Sequence, residues 1–178
     1  MKTLGRRSLA AFLQVALRVV QILLLVFIPF VAFGCVVMLL KTYGVALEFT
    51  DMRPARAPLF AWIFTVRMTA IVTVAIIIVS RLRSIFATLA AGDPFVPENA
   101  AHLRVIWVTL AIGELVRYAL DGIRTVALNL RGESAPAWMD QGLLNISIGM
   151  WFAVLTVIVL AEVFREGSRL RQEQQYTV

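Results

Sequence analysis

Residues 113–125, Gly113 to Thr125, read GELVRYALDGIRT and set four charges into an otherwise apolar segment. Glu114, Arg117, Asp121 and Arg124 are spaced three, four and three residues apart. On an α-helix they share one face with alternating sign. What that face meets depends on the segments around it, and these are strongly apolar. Of the 178 residues 60% are hydrophobic, and the mean hydropathy is +0.84. Both values lie well above the balance of water-soluble domains.

Val19 to Leu40 carries no ionised side chain over 22 residues. That length crosses a hydrocarbon core of about 30 Å at about 1.5 Å per residue. Pro29 and Gly34 lie inside it, kink-prone positions that neighbouring helices make tolerable. Phe60 to Ser80 is a second span interrupted by Arg67, with Trp62 near one end. Val105 to about Thr125 is a third, carrying the charged stretch, and Leu143 to Phe164 is a fourth, apolar until Glu162. The predicted fold is therefore one all-α domain over residues 1–178. It is a polytopic membrane protein of four transmembrane helices (about 19–40, 60–80, 105–125 and 143–164), with a cytoplasmic helical elbow between the second and third.

Seventeen Lys and Arg against eleven Asp and Glu give a net charge of +6. In so apolar a chain this charge points to anionic lipid or the cytoplasmic membrane face, with no direct nucleic-acid contact. The N-terminal arm, the loop between spans two and three, and the C-terminal tail hold Lys2, Arg6, Arg7, Arg18, Arg81, Arg83, Arg104, Arg165, Arg169 and Arg171. The other two loops hold Lys41, Arg53, Arg56 and Arg131. Ten against four places both termini in the cytoplasm. The first apolar run is too long for a signal-peptide core, and Phe33 fits a cleavage site before Cys35 poorly, so the expectation is an uncleaved span. Arg6, Arg7, Leu9, Phe12, Leu13, Ala16 and Leu17 suit either a short interfacial helix or a straight extension of that span.

The elbow reads RLRSIFATLAAGDPFVPENAAHLR. Leu82, Ile85, Phe86 and Leu89 recur at helical spacing beside Arg81 and Arg83. Gly92 suits a left-handed cap, Asp93-Pro94 a turn, and Pro97-Glu98 the first turn of the next helix. A basic, apolar-faced elbow serves either as a docking surface for a cytoplasmic partner or anionic lipid, or simply as a rigid hairpin turn.

Gly92-Asp-Pro-Phe-Val-Pro-Glu-Asn-Ala100 followed by Leu103-Arg104 resembles the G-x-P-F-x-x-E-N…L-R signature of a bacterial membrane family of unknown function, DUF2975. Leu160-Ala-Glu-Val-Phe-Arg-Glu-Gly167, then Leu170-Arg171 and Tyr176-Thr177-Val178, is similar to that family's closing E-x-F-x-x-G…L motif. The likeness covers most of the chain and implies four spans in the bacterial inner membrane, with no assigned activity. It also implies a partner, because members often resemble one half of a pair with a small helix-turn-helix transcription regulator. Gln172-Glu173-Gln174-Gln175-Tyr176 departs from the more acidic and aliphatic endings of the family.

If spans two and three are antiparallel, Arg67 comes level with Arg117 and Asp121. A lone charge at mid-membrane costs about 2.5–3.5 kcal/mol on insertion scales. The expectation is therefore an interior ion network of Arg67, Glu114, Arg117, Asp121 and Arg124. Three arginines against two carboxylates leave one positive charge unless Glu162 or Glu48 approaches. The network serves either to hold helix register or to accept a lipid headgroup or small anion.

One cysteine, Cys35, and one histidine, His102, supply neither a disulfide nor a metal site, and no catalytic set or cofactor motif stands out. Trp62, Trp107 and Trp138 suit interfacial belts; Asn145 and Ser147 suit the outer start of span four. Three functions follow, in descending order. The first is a non-enzymatic sensor or regulator docking a cytoplasmic partner through Arg81, Arg83, Phe86, Phe95, Arg165, Arg169 and Arg171. The second is a small transporter or transporter subunit with a charged interior, for which four helices suffice only as a homo-oligomer. The third is a lipid-modifying enzyme.

Overall fold

The computed structural model of the chain describes residues 4–45, 58–132 and 147–176. Among them the architecture is all-α, with four helices: α1 (Leu4–Thr42), α2 (Pro58–Ala90), α3 (Pro97–Leu130) and α4 (Ile148–Tyr176). Glu48, Arg53, Arg56, Trp138, Leu143, Asn145, Thr177 and Val178 lie outside the described residues, as do the side chains of Arg6, Arg7 and Leu9.

Three helices are long and apolar enough to cross a membrane, over Phe12–Thr42, Pro58–Ala90 and Ile148–Gln174. α3 has the length, 34 residues, but its charged stripe dilutes its apolar character. The helices expose large apolar side chains of the kind a bilayer solvates, Phe12, Phe30 and Phe152 among them. Thr65, Thr69 and Thr73 recur every fourth residue of α2, and each hydroxyl donates to the carbonyl four residues before it, at 2.8–2.9 Å. Hydroxyls satisfied inside their own helix leave an exterior compatible with hydrocarbon.

Two compact units divide the chain. Unit 1 takes residues 1–24, 74–112 and 148–178; unit 2 takes 25–73 and 113–147. In unit 1 the buried centre is Ile85, Leu103 and Ile106, surrounded by Ile78, Leu82, Leu89 and Leu110, with Val157, Ala161 and Phe164 from α4. On each helix these positions are three or four residues apart, so each presents a single apolar seam. Leu82 therefore belongs to the interior.

Between α2 and α3 the backbone closes as a Schellman motif. Gly92 N–H donates to the Leu89 carbonyl at 3.1 Å, and Asp93 N–H to that of Thr88 at 3.1 Å. Gly92 has φ +86°, the left-handed conformation this cap requires. Pro97 then opens α3 without needing an N–H, and Glu98 sits in its first turn, where the helix dipole favours an anion. Asn99 is fully buried at the centre of this turn. Its Nδ2 donates to the Pro94 carbonyl at 2.8 Å and to Thr88 Oγ1 at 2.7 Å. The Thr88 hydroxyl has the Ile85 carbonyl at 2.7 Å and Asn99 Oδ1 at 3.0 Å as acceptors.

α4 fastens the turn from outside. Phe95 packs against Phe164 with ring centroids 5.8 Å apart, and Arg171 is ion-paired with Asp93. Phe95 also lies over Gly167, where an added Cβ would stand 2.6 Å from Cδ1 and 2.8 Å from Cε1. Gly167→Ala is thus expected to lower the melting temperature, displacing Phe95 at about 1–2 kcal/mol against about 1 kcal/mol gained in helix propensity. In a Phe95→Ala background the same change is expected to be stabilising. A detergent melting series of the two single variants and the double variant reads the difference.

In unit 2 the buried apolar side chains are Cys35 and Val37 of α1, Ala61 and Ile63 of α2, and Leu128 of α3. Cys35 is a free thiol used as a small apolar residue. Trp62 Nε1 donates to the Tyr43 hydroxyl at 3.1 Å on the exposed surface, an arrangement suited to a membrane interface.

Candidate functional site

The charged stripe of α3 is the first candidate. Glu114, only 5% exposed, accepts two bonds from Arg117: Nε to Oε2 at 3.0 Å and Nη2 to Oε1 at 2.6 Å. The spacing of three residues makes this bidentate fork. Arg117 Nη1 also reaches Asp121 Oδ2 at 3.3 Å, one turn further on. From α2, Arg67 Nη1 donates to Asp121 Oδ1 at 3.0 Å. Arg67, Glu114, Arg117 and Asp121 therefore form one chain of alternating charge, two of each sign. Arg124 lies half-buried one turn beyond Asp121. Glu162, a candidate to balance the surplus positive charge, pairs with Arg165 on α4. Nearby in unit 2, the Ser147 N–H donates to the Tyr118 hydroxyl at 3.0 Å.

Unit 1 carries the second candidate, the turn over residues 91–96 together with the far end of α4. Phe95 remains partly exposed while touching Phe164, and Phe86 is half-buried. The arginines singled out for docking differ in their surroundings. Arg165 pairs with Glu162; Arg169 pairs with Glu166 at 2.7 Å and Glu173 at 3.5 Å; Arg171 pairs with Asp93. The end of α4 is thus a lattice of both signs, whereas residue counting reads it as a basic tail. Arg83 Nη1 donates to Gln21 Oε1 at 2.8 Å, and Arg81 Nη1 stands 3.5 Å from His102 Nδ1.

His102 is held below the ordinary imidazole value by burial and, secondarily, by the Arg81 cation, with Glu98 opposing. The unfolded chain therefore binds more protons than the folded one near pH 6. Stability is complete above the unfolded value of about 6.5 and falls as the pH drops through it. Melting curves between pH 7.5 and 5.5 should show this loss, and His102→Gln should flatten it.

Sequence reasoning missed Asn99 and Gly167 as packing residues. Asn99 sat inside a motif with no chemistry attached, and the contact of Gly167 comes from a residue 72 positions away. Among the described residues no group of three or more His, Cys, Asp or Glu side chains is placed to hold a metal ion.

A family model described as "Protein of unknown function (DUF2975)" matches residues 45–178. The chain belongs to the DUF2975 family. The match takes in α2, α3, α4 and the turn over residues 91–96, so both candidate clusters lie on the DUF2975 portion. No curated protein and no solved structure matches this DUF2975 chain.

Proposed function

We propose that this membrane protein is a non-enzymatic sensor or regulator of the bacterial cytoplasmic membrane. It crosses the membrane four times, keeps both termini and the turn over residues 91–96 in the cytoplasm, and holds a cytoplasmic partner there. The observation that carries this reading is the fastening of that turn to α4. Phe95 on Phe164 and Gly167, with Asp93 on Arg171, makes one preorganised surface from two distant segments. Such a surface presents an apolar anchor within a charged rim, the anatomy of a protein docking site. A small helix-turn-helix transcription regulator is the partner the family resemblance favours.

Mutual pairing of Arg67, Glu114, Arg117 and Asp121 supports α3 as the fourth crossing, since paired charges lower the cost of the stripe in lipid. Ten Lys and Arg on one set of termini and loops against four on the other supports the orientation. Reporter fusions at Gly92 and Gly132 are expected to fall on opposite sides of the membrane; the same side for both would remove the fourth crossing. Co-purification of the full chain with a co-expressed regulator is expected to drop about tenfold on Phe95→Asp, in line with loss of a central anchor. Undiminished capture, or none from the unaltered chain, would overturn the partner.

The partial exposure of Arg67 and Asp121 favours a second reading, a homo-oligomeric transporter or transporter subunit in which the charged stripe lines a path for an anionic ligand or lipid. Proteoliposome flux abolished by Asp121→Asn would select it over the regulator.

A further inference from the structure

Arginines of unit 1 fall into two classes. Those of α4 discussed above have carboxylates within 4.0 Å. Arg18 of α1, Arg81 and Arg83 of α2 and Arg104 of α3 have none among the described residues, and the contacts of Arg81 and Arg83 are to neutral groups. Arg81 Nε is also buried without a hydrogen-bond partner. These four arginines mark the ends of the apolar runs. Arg18 immediately precedes Val19, Arg81 immediately follows Ser80, and Arg104 immediately precedes Val105.

Arg18 and Gln21 lie three residues apart, on one face of α1. Arg83 reaches that face from α2 through its bond to Gln21 Oε1. Arg83 and Gln21 thus meet on the face that Arg18 shares by helical spacing, neither arginine has a carboxylate within 4.0 Å among the described residues, and the Gln21 NH₂ adds further donors. Guanidinium forks match the oxygens of a phosphate. Immediately along α1, Val19, Val20, Ile22 and Leu23 are exposed, a surface suited to acyl chains.

We propose that Arg18, Gln21 and Arg83 form a binding site for the phosphate headgroup of an anionic membrane phospholipid, whose acyl chains lie along the exposed apolar face of α1. Charge complementarity and the adjoining apolar strip select a lipid over a soluble anion or an acidic protein segment. Arg81 and Arg104 add positive potential at the same ends of the apolar runs. The inference rests on the proposed membrane crossing of α1 and α2, which topology reporters test separately, and not on the cytoplasmic regulator.

The test measures retention of phosphatidylglycerol and phosphatidylcholine by the purified full chain, using native mass spectrometry and detergent melting. Phosphatidylglycerol is expected to be retained preferentially and to survive millimolar inorganic phosphate. Arg18→Gln with Arg83→Gln should lower its retention by roughly tenfold to thirtyfold, the loss of two cations facing an anionic surface. Gln21→Glu is the decisive variant because it keeps both arginines and supplies an internal carboxylate at the acceptor position. It should preserve or raise the melting temperature while lowering retention by about tenfold. Arg165→Gln with Arg169→Gln should leave retention within about twofold, as loss of cations already paired internally. Equal retention of the two lipids, displacement by inorganic phosphate, undiminished retention in Gln21→Glu, or an equal loss in the α4 variant would each overturn the proposal.

Discussion

Replacing Glu114 with Leu is expected to cost about 3 kcal/mol of stability, the usual penalty for stranding one partner of a buried ion pair. Glu114 is nearly fully buried and accepts both bonds of the Arg117 fork, so its loss leaves that guanidinium over the Tyr118 ring with Asp121 at 3.3 Å as its remaining carboxylate within 4.0 Å among the described residues. Asp121 is already shared with Arg67. Glu114→Gln, which keeps one acceptor, should lose about half as much, on the order of 1.5 kcal/mol. Glu114→Leu combined with Arg117→Leu should recover most of the loss, because an apolar pair of similar volume removes both the charge and its need for a partner. Detergent melting of this cycle separates a structural ion chain from four independent side chains. Additive losses in the double variant would mean that the pair does not act as a unit.

Asn99→Ala is expected to cost about 2–3 kcal/mol, since it removes bonds to two partly buried groups and refills none of the space of a fully buried side chain. The Pro94 carbonyl and the Thr88 hydroxyl both lose a donor in an environment with no exposure at Asn99 itself. Asn99→Asp is predicted to be nearly as damaging. A carboxylate cannot donate to the Pro94 carbonyl, and burial penalises its charge. Hydrogen exchange over residues 88–103 should rise in both variants, with little change in unit 2. Unaltered exchange would show that the turn is held by Gly92 and Pro97 alone.

Backbone events that depend on local chemistry were legible in the sequence. Gly92 as the left-handed cap and Pro97-Glu98 as the opening of α3 stand where residue type placed them, because the Schellman geometry is settled within six consecutive residues. The apolar segments were equally legible, although the helices extend well past them. Phe60–Ser80 is the apolar centre of a helix running from Pro58 to Ala90, as helix bonding continues where hydrophobicity stops. The charged stripe made its own i,i+3 and i,i+4 pairs readable. Less visible was the sharing of tail charges, because summing Lys and Arg ignores Glu162, Glu166 and Glu173 at helical spacing on the same element.

Residue order alone settles the course of the helices, the Gly92 cap and Pro97 opening, the apolar stretches of α1, α2 and α4, and the pairing of Glu114 with Arg117, because each follows from residues near one another on one segment. Helix packing settles that Arg67, expected level with both Arg117 and Asp121, bonds to Asp121, that Asn99 is sealed between Thr88 and Pro94, and that Gly167 lies under Phe95. It also decided that Arg83 meets a neutral Gln21 instead of a carboxylate. These contacts depend on how one helix is rotated about its axis against another, a quantity that apolar periodicity confines to a broad face and only side-chain packing makes unique.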